Sequence, residues 1–426
     1  MSDKTKLSTE SYKGVRDFYP EDNFIQNYIF KTWRETVESF GYVEYNSSIL
    51  EPAELYKQKS GDEIVNEQTY TFLDRGDREV TLRPEMTPSV ARMVAGKVQE
   101  LVFPLRWYSI PNLFRYEKPQ RGRLREHWQL NVDLFGTNSV DADAEIITLA
   151  YQIMKKLGGK DEDFTIKIND RKIVNALYEK FGLSEENAYK VSKIIDKKDK
   201  ISNSAFEAAL TELIGEKTDE FIGLLVANRK LLESFEDNEV SKNLLTLIEK
   251  LDKAGIKNIV YDPTLMRGFD YYTGTVFEVF DVHPDNNRSV FGGGRYNDLL
   301  DIFGTRKVSA IGFGAGDVTA KDFLETHNLL PKYRSRVDVY ICILSKEFSE
   351  EASKIADTLR AEGLNIAVDL SEKKLGDQIK IADKQSIPYT LVVGEDEIKS
   401  GEYPLKNLES GKEKKVKLEE IKEIVK

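Results

Sequence analysis

Cysteine is all but missing. Cys342 stands alone in 426 residues, which excludes a disulfide framework, a two-cysteine redox pair and any CxxC zinc site. Histidine is nearly as scarce: His127, His283 and His327 lie far apart, so a multi-histidine metal centre is not expected. Long apolar runs are lacking too, and none approaches the ~20 residues needed to span a bilayer. The first residues, Met1 to Gly14, are polar and of mixed charge, without the apolar core of a signal peptide. A cytoplasmic protein with no membrane partner is the expectation. Basic residues are in deficit, 62 Lys+Arg against 73 Asp+Glu, for a formal net charge of −11. Taken alone, that deficit speaks against a nucleic-acid partner, because phosphate contacts need Lys and Arg.

What is present is enough apolar material, 40% hydrophobic and 10% aromatic residues, to build real cores. The length implies roughly two to four domains. Apolar residues at helical spacing (Ile25, Ile29, Trp33, Val37, Phe40) predict a helix over about 21–40, opened by Pro20 and stopped by Gly41. β-type runs follow at 42–45, 69–73, 78–82, 105–110, 113–117 and 127–135, with short gaps that point to antiparallel hairpins. From 171 to 255 the spacing is helical and alternation is absent, which reads as an insertion, because β-type runs resume at 275–282 and 307–313. After a charged connector near 326–335, strands and helices alternate as in a small α/β domain with a mostly parallel sheet. The lysine-rich stretch 411–417 reads as a solvated hairpin tip.

The densest chemistry lies in Phe114–Gln129. Arg115, Lys118, Arg121, Arg123 and Arg125 fall within eleven residues of an acidic chain, around a loop broken by Pro119 and Gly122. A solvated basic loop is the plain alternative; the sharper reading is an anion clamp, since guanidinium forks match phosphate oxygens. Strand alternation would aim Arg115 and Glu117 at one site, and Gln129, Asn131 and Asp133 would share one strand face. A second group, Leu82-Arg83-Pro84-Glu85-Met86-Thr87-Pro88, is stiffened by two prolines, with Thr87 also read as a cap for a helix starting at Pro88. A third, Met266–Gly274, holds Arg267, Tyr271 and Tyr272 between glycines. A fourth, Phe291-Gly292-Gly293-Gly294-Arg295-Tyr296, permits close backbone approach. It is neither a P-loop nor a GxGxxG turn, and Gly312-Phe313-Gly314-Ala315-Gly316 is weak by itself.

Together these segments resemble the histidyl-tRNA synthetase family of class II aminoacyl-tRNA synthetases, from Lys13-Gly14-Val15-Arg16-Asp17 to the last α/β domain. The helix and strand ending at Glu51-Pro52 look like the first class II motif, Phe114–Phe135 like the second, Arg267–Tyr272 like the histidine-specific signature and Phe291–Tyr296 like the glycine-rich pocket floor. The resemblance implies an α+β fold: an antiparallel-sheet catalytic domain with a helical insertion, plus a C-terminal α/β anticodon-binding domain. The implied division is 1–170 and 256–328 for the catalytic core, 171–255 for the insertion and 334–426 for the anticodon domain.

The implied reaction joins L-histidine and ATP into histidyl-adenylate and pyrophosphate, then moves histidine to the 3′ end of tRNA-His. By the same carry-over Arg115 and Arg267 are catalytic, facing the α-phosphate from two sides, and Glu117 and Arg123 complete the ATP site. Glu85, Thr87 and Gln129 would hold the substrate ammonium; Asp133, Tyr271, Tyr272 and Tyr296 would line the imidazole pocket. Mg²⁺ bound through ATP and a homodimer are implied as well. Lys197, Lys198 and Lys200 would contact tRNA from the insertion. Three departures stand out: Thr319 occupies the place of the arginine that ends the third motif, Asp133 is one methylene shorter than the Glu of many bacterial members, and Lys118 replaces a common arginine.

The runner-up is the non-catalytic regulatory subunit that resembles this family and partners ATP phosphoribosyltransferase. The Arg115/Glu85/Gln129/Arg267 set and the C-terminal domain argue against it, the absent third-motif arginine for it. A generic ATP-grasping ligase has no reason to contain the Tyr271-Tyr272 pair. From Arg334 onward 17 basic and 19 acidic side chains occur, so that domain carries −2 and the remainder −9. Charge is screened over about 8 Å at physiological salt, so local patches such as Arg115–Arg125 decide what a phosphate meets.

Overall fold

Pro20 opens the first helix, Pro20–Ser39, with Glu21 and Asp22 in the first turn, where the helix dipole favours acids, and Ile29, Trp33 and Val37 in its buried stripe. The computed structural model describes residues 7–57, 68–196, 198, 201–227, 229–235, 237–265 and 272–426. The chain divides into two compact units, Met1–Leu330 and Pro331–Lys426.

The first unit is built on a nine-stranded sheet among the described residues. Its order is Val43–Glu44, Leu105–Ser109, Glu126–Phe135, Ala310–Gly316, Arg288–Arg295, Thr275–Asp281, Phe164–Asp170 and Ile259–Tyr261, with Asn112–Phe114 also pairing to Glu126–Phe135. The interior pairings are antiparallel; the two outermost, Val43–Glu44 on Leu105–Ser109 and Ile259–Tyr261 on Phe164–Asp170, are parallel. The strand expected over 307–313 is instead Ala310–Gly316.

Alternation along Glu126–Phe135 sorts the two faces of the sheet. Leu130, Val132 and Leu134 join a core with Ile29 and Trp33 of the first helix, Ile147 and Met154 of the helix Val140–Lys156, and Phe323 of the helix Asp317–Thr326. Each such fully buried side chain contributes about 1.5–3 kcal/mol. The opposite face presents Gln129, Asn131 and Asp133. At one end it is closed by a second apolar cluster in which Val90 and Val94 of the helix Thr87–Gly96 meet Phe135, Val276, Tyr272 and Tyr296. A smaller antiparallel sheet, Leu50–Pro52, Glu79–Leu82 and Tyr70–Leu73, leads into that helix. Its Asp74–Asp77 turn is held by the Asp74 carboxylate, which accepts from Gly76 N–H at 2.8 Å and Arg78 N–H at 3.0 Å.

Helices Arg171–Lys180, Glu185–Asp196, Asn203–Ile214, Thr218–Val226, Arg229–Glu233 and Glu239–Lys253 fill the segment whose spacing was helical. Ile173, Leu177, Leu210, Phe221, Leu247 and Leu251 belong to the same apolar core as the sheet, so the insertion shares that core. Of the three lysines read as tRNA contacts there, Lys197 and Lys200 lie outside the described residues; Lys198 is half-buried.

In the second unit Ile366–Val368, Val339–Ile343 and Tyr389–Val393 are parallel, while Tyr403–Asn407 and Glu413–Val416 extend the sheet antiparallel. The lysine-rich stretch is therefore mainly an edge strand, not a hairpin tip, with Glu413, Lys414 and Lys415 exposed. Charge on an edge strand discourages pairing with other chains. Among the described residues no helix is long and apolar enough to cross a membrane.

Candidate active site

Register explains the glycines. Asp133 pairs with Gly312, Asn131 with Gly314 and Gln129 with Gly316; on the next strand Gly292 pairs with Gly314 and Gly294 with Gly312. Directly paired residues share a face, so five glycines form a floor without side chains beside three polar groups. The floor is already used to the limit. A Cβ on Gly312 would lie 2.4 Å from Asp133 Oδ1, and one on Gly314 would lie 2.7 Å from Gln129 Cδ. Across Gly294 the ring of Tyr272 leaves no room either, its Cδ1 2.9 Å from a Cβ built there.

Asp133 is the centre of this pocket. The Tyr296 hydroxyl donates to its Oδ1, while Oδ2 is buried and makes no hydrogen bond among the described residues. Burial pushes the carboxyl up to about 7, and the Tyr296 hydrogen bond pulls it part of the way back. The same surroundings, burial first and then the Asp133 charge, push the Tyr45 hydroxyl well above its ordinary value. Trp107, paired with Asp133, stacks at a tilt on Tyr45 with centroids 5.4 Å apart. Sequence reasoning missed Tyr45, Trp107 and Ser109; the alternation of Trp107 and Ser109 along Leu105–Ser109 was the signal available.

The segment carrying Glu85 and Thr87 is held from below by Arg83, also missed. Its buried guanidinium donates to Asn112 O at 3.0 Å, Ser47 O at 2.9 Å and Ser48 O at 3.4 Å. Glu85 is buried and Thr87 is the first residue of the helix Thr87–Gly96, whose N-cap is Met86, so Thr87 is not the cap that its position suggested. Arg115 Nε donates to Pro84 O at 2.9 Å, which ties the second cluster to the first. That bond fixes the guanidinium plane. Its terminal nitrogens bond to no protein group among the described residues.

The five clustered cations do not act alike. The strand before the loop ends at Phe114, so alternation does not aim Arg115 and Glu117 together; Glu117 N–H instead donates to Arg115 O at 2.8 Å in a tight turn. Arg123 is exposed and sits 3.9 Å from Glu117 Oε2. Arg121 is tied down, donating to Asp285 O at 3.0 Å and Thr326 Oγ1 at 3.1 Å. His127, on the same strand face as Gln129, is pushed down to about 3 by loss of solvent and then by Arg115 and Arg16. Its imidazole stays neutral at pH 7.

Thr319 donates to Val290 O at 2.6 Å and Gly316 O at 3.1 Å, so its hydroxyl is spent on joining helix to strand. Arg295 turns away from the floor: Nε lies 2.8 Å from Asp143 Oδ1, and the other nitrogens donate to Thr137 O and Ser139 O. Arg267 and Tyr271 lie outside the described residues. Brought together, then, are Gln129, Asp133, Tyr272 and Tyr296 around the glycine floor, with Glu85, Thr87 and Arg115 linked through Pro84. Such a site sets buried polar groups over a glycine floor near an arginine with free terminal donors among the described residues, an arrangement that suits a small polar substrate joined to a phosphate.

Comparison with known proteins agrees with that chemistry. The family model for histidyl-tRNA synthetase matches residues 14–318, and that for the anticodon binding domain matches 338–426. The chain is 44% identical over 413 residues to a histidine–tRNA ligase of Leptospira biflexa, covering 95% of this chain and 94% of that one. It is 35% identical over 430 residues to one of Pyrococcus furiosus, covering 98% of each. A solved histidyl-tRNA synthetase from Nostoc shares the fold with TM-score 0.85 at 24% identity, covering 98% of this chain and 100% of that one.

Proposed function

The chain belongs to the histidyl-tRNA synthetase family and ligates histidine to tRNA-His at the expense of ATP; on that premise we propose the division of labour among its residues. In the first step a histidine carboxylate oxygen attacks the α-phosphorus, the bond to the β-phosphate oxygen breaks and pyrophosphate leaves. Two anions must meet in line, so the protein's task is to aim positive charge and fix orientation. Arg115, plane fixed by Pro84, takes an α-phosphate oxygen. Arg267 is proposed from the sequence signature alone as its counterpart. Arg123 and Glu117 serve the ATP side, and Thr319 adds no cation there. In the second step a hydroxyl of the terminal ribose attacks the acyl carbonyl and AMP leaves.

Glu85, Thr87 and Gln129 take the substrate ammonium. Asp133 Oδ2 takes an imidazole N–H, with Tyr272 and Tyr296 walling the ring and Tyr271 assigned from the signature. The observation that carries this reading is the unpartnered, buried Oδ2 over a glycine floor. A site that pairs the ring nitrogens rejects isosteres lacking them by about 10⁴–10⁵. Mg²⁺ would be held by phosphate oxygens, where it offsets their charge; Glu278, paired with Gly292 and so on the floor side, is a carboxylate suited to join it. A cytoplasmic homodimer and the four-part domain division belong to the same proposal. Purified protein should exchange labelled pyrophosphate into ATP only when histidine is present, and Arg115→Ala should abolish exchange while leaving histidine binding within about threefold. Loss of histidine binding in that variant would refute the split between arginine and pocket. Histidine-independent silence of the wild type would favour a regulatory role.

A further inference from the structure

The stretch ahead of the first helix has no part in the reading above, yet it grips the base of the phosphate loop. Gly14 O accepts from Arg125 N–H at 2.7 Å and from Glu126 N–H at 3.3 Å, where the loop rejoins its strand. Gly14 has φ +87°, and a Cβ there would lie 2.8 Å from Arg125 Cγ and 2.9 Å from Pro119 Cγ, so this approach requires glycine. The Arg125 guanidinium lies over the Tyr116 ring at 4.1 Å and the Tyr12 ring at 5.5 Å. It donates Nε to Glu117 O at 3.1 Å and a terminal nitrogen to the Tyr12 hydroxyl at 3.0 Å. One cation therefore joins the outgoing limb of the loop, the returning limb and the N-terminal segment. Farther along, Arg16 donates to Asp317 at 2.8 Å, whose other oxygen accepts from Trp128 N–H at 3.0 Å, and Phe18 meets Trp128 edge-on at 5.3 Å.

The geometry points to a strap: Tyr12, Gly14 and Arg125 are positioning residues that hold the mouth of the 116–124 loop so that Glu117 and Arg123 meet ATP in one arrangement. Arg125 thus acts on the phosphates through the loop it holds, its Nε and one terminal nitrogen being committed to protein groups. A loop whose two ends are pinned loses less freedom when it closes on a ligand, which lowers the cost of gripping the triphosphate. The inference rests on reading 115–125 as the phosphate loop, and the test separates the two.

Tyr12 is 57% exposed, so its replacement leaves the core intact. In the full chain, Tyr12→Ala and Arg125→Ala should raise KM for ATP in pyrophosphate exchange on the order of tenfold, with KM for histidine within about twofold. Trypsin should cut faster after Arg121 or Arg123 in both variants, whereas Tyr12→Phe, which keeps the ring, should restore slow cleavage and most of the ATP affinity. Unchanged KM for ATP and unchanged cleavage, beside an inactive Arg115→Ala, would overturn the strap. A fall in melting temperature with both KM values moving together would overturn it equally, since that is the mark of a merely structural role. Should Arg115→Ala retain wild-type exchange, the phosphate reading fails instead, and the cleavage rates still judge the strap.

Discussion

Asp133 has one oxygen committed to Tyr296 and one waiting, and its carboxyl sits near neutrality because burial penalises its charge. An arriving imidazole N–H favours the ionised form, so histidine binding should pull the carboxyl down and release a proton near pH 7. Titration calorimetry in two buffers of different ionisation enthalpy should reveal that proton, and Asp133→Asn should remove it. Equal proton release in the variant would mean that another group supplies it. The stability linkage has the opposite sense to that of a salt-bridged acid. With a folded value raised to about 7, the protonated Asp133 favours the fold at acid pH, and this contribution is lost as pH rises through about 7.

At the scale of elements, the glycine strands tolerate nothing. Gly312→Ala would set a methyl 2.4 Å from both Asp133 Oδ1 and Val132 O. Because one of those atoms is backbone, the pairing must shift, and histidine-dependent exchange should fall by about 10² or more while circular dichroism stays native. Behind the floor, the pair Arg295–Asp143 is almost fully buried, with side-chain exposures of 6% on each partner. Arg295→Ala strands a carboxylate that burial already raises to about 6, and should cost about 3–5 kcal/mol in denaturant unfolding.

These two cases also mark what the sequence could and could not convey. Local periodicity carried the first helix, the helical insertion and the alternating C-terminal unit, because those patterns are properties of neighbouring residues. The site face of Glu126–Phe135 was equally legible, since Gln129, Asn131 and Asp133 alternate whatever lies opposite. Roles for Arg115, Glu85 and Tyr296 came through resemblance, not through spacing. The fates of the other arginines were not legible. Arg83, Arg125 and Arg295 spend their charge on protein carbonyls, rings and a carboxylate brought close only by tertiary pairing, and a guanidinium in a string of letters looks the same in either employment. The strand boundary at Phe114 fell one residue short of Arg115 for a related reason: the tight turn at Glu117 is braced by Arg125 across the loop and, through Arg125, by Gly14 much earlier in the chain.

Taken whole, the molecule is an acidic body with a few aimed cations. Its affinity for tRNA should weaken steeply between about 50 and 200 mM salt, while KM for histidine, read in a buried pocket, should hardly move. Equal salt sensitivity of the two constants would remove local charge as the explanation. Large apolar side chains stand exposed on the short strands near the first motif, Val43 at 63%, Leu50 at 44% and Phe72 at 48%. The proposed homodimer would bury such groups against a second copy, and light scattering at micromolar concentration should then return twice the chain mass of 48.7 kDa. A monomer would overturn that assignment.

The hydrogen bond between Tyr296 and Asp133 spans 163 residues of chain. A pocket closed by so distant a pair cannot assemble on the ribosome until the strand Ala310–Gly316, wedged between the two, has emerged. Until then Glu126–Phe135 has an open edge where that strand will pair, and the nascent chain is exposed to mispairing while everything between the two strands is made. The helices of the 171–255 segment are made meanwhile, and their apolar faces join the same core as the strands already synthesised. On the proposed assignment of Asp133 and Tyr296, the capacity to recognise histidine is therefore among the later properties acquired during translation.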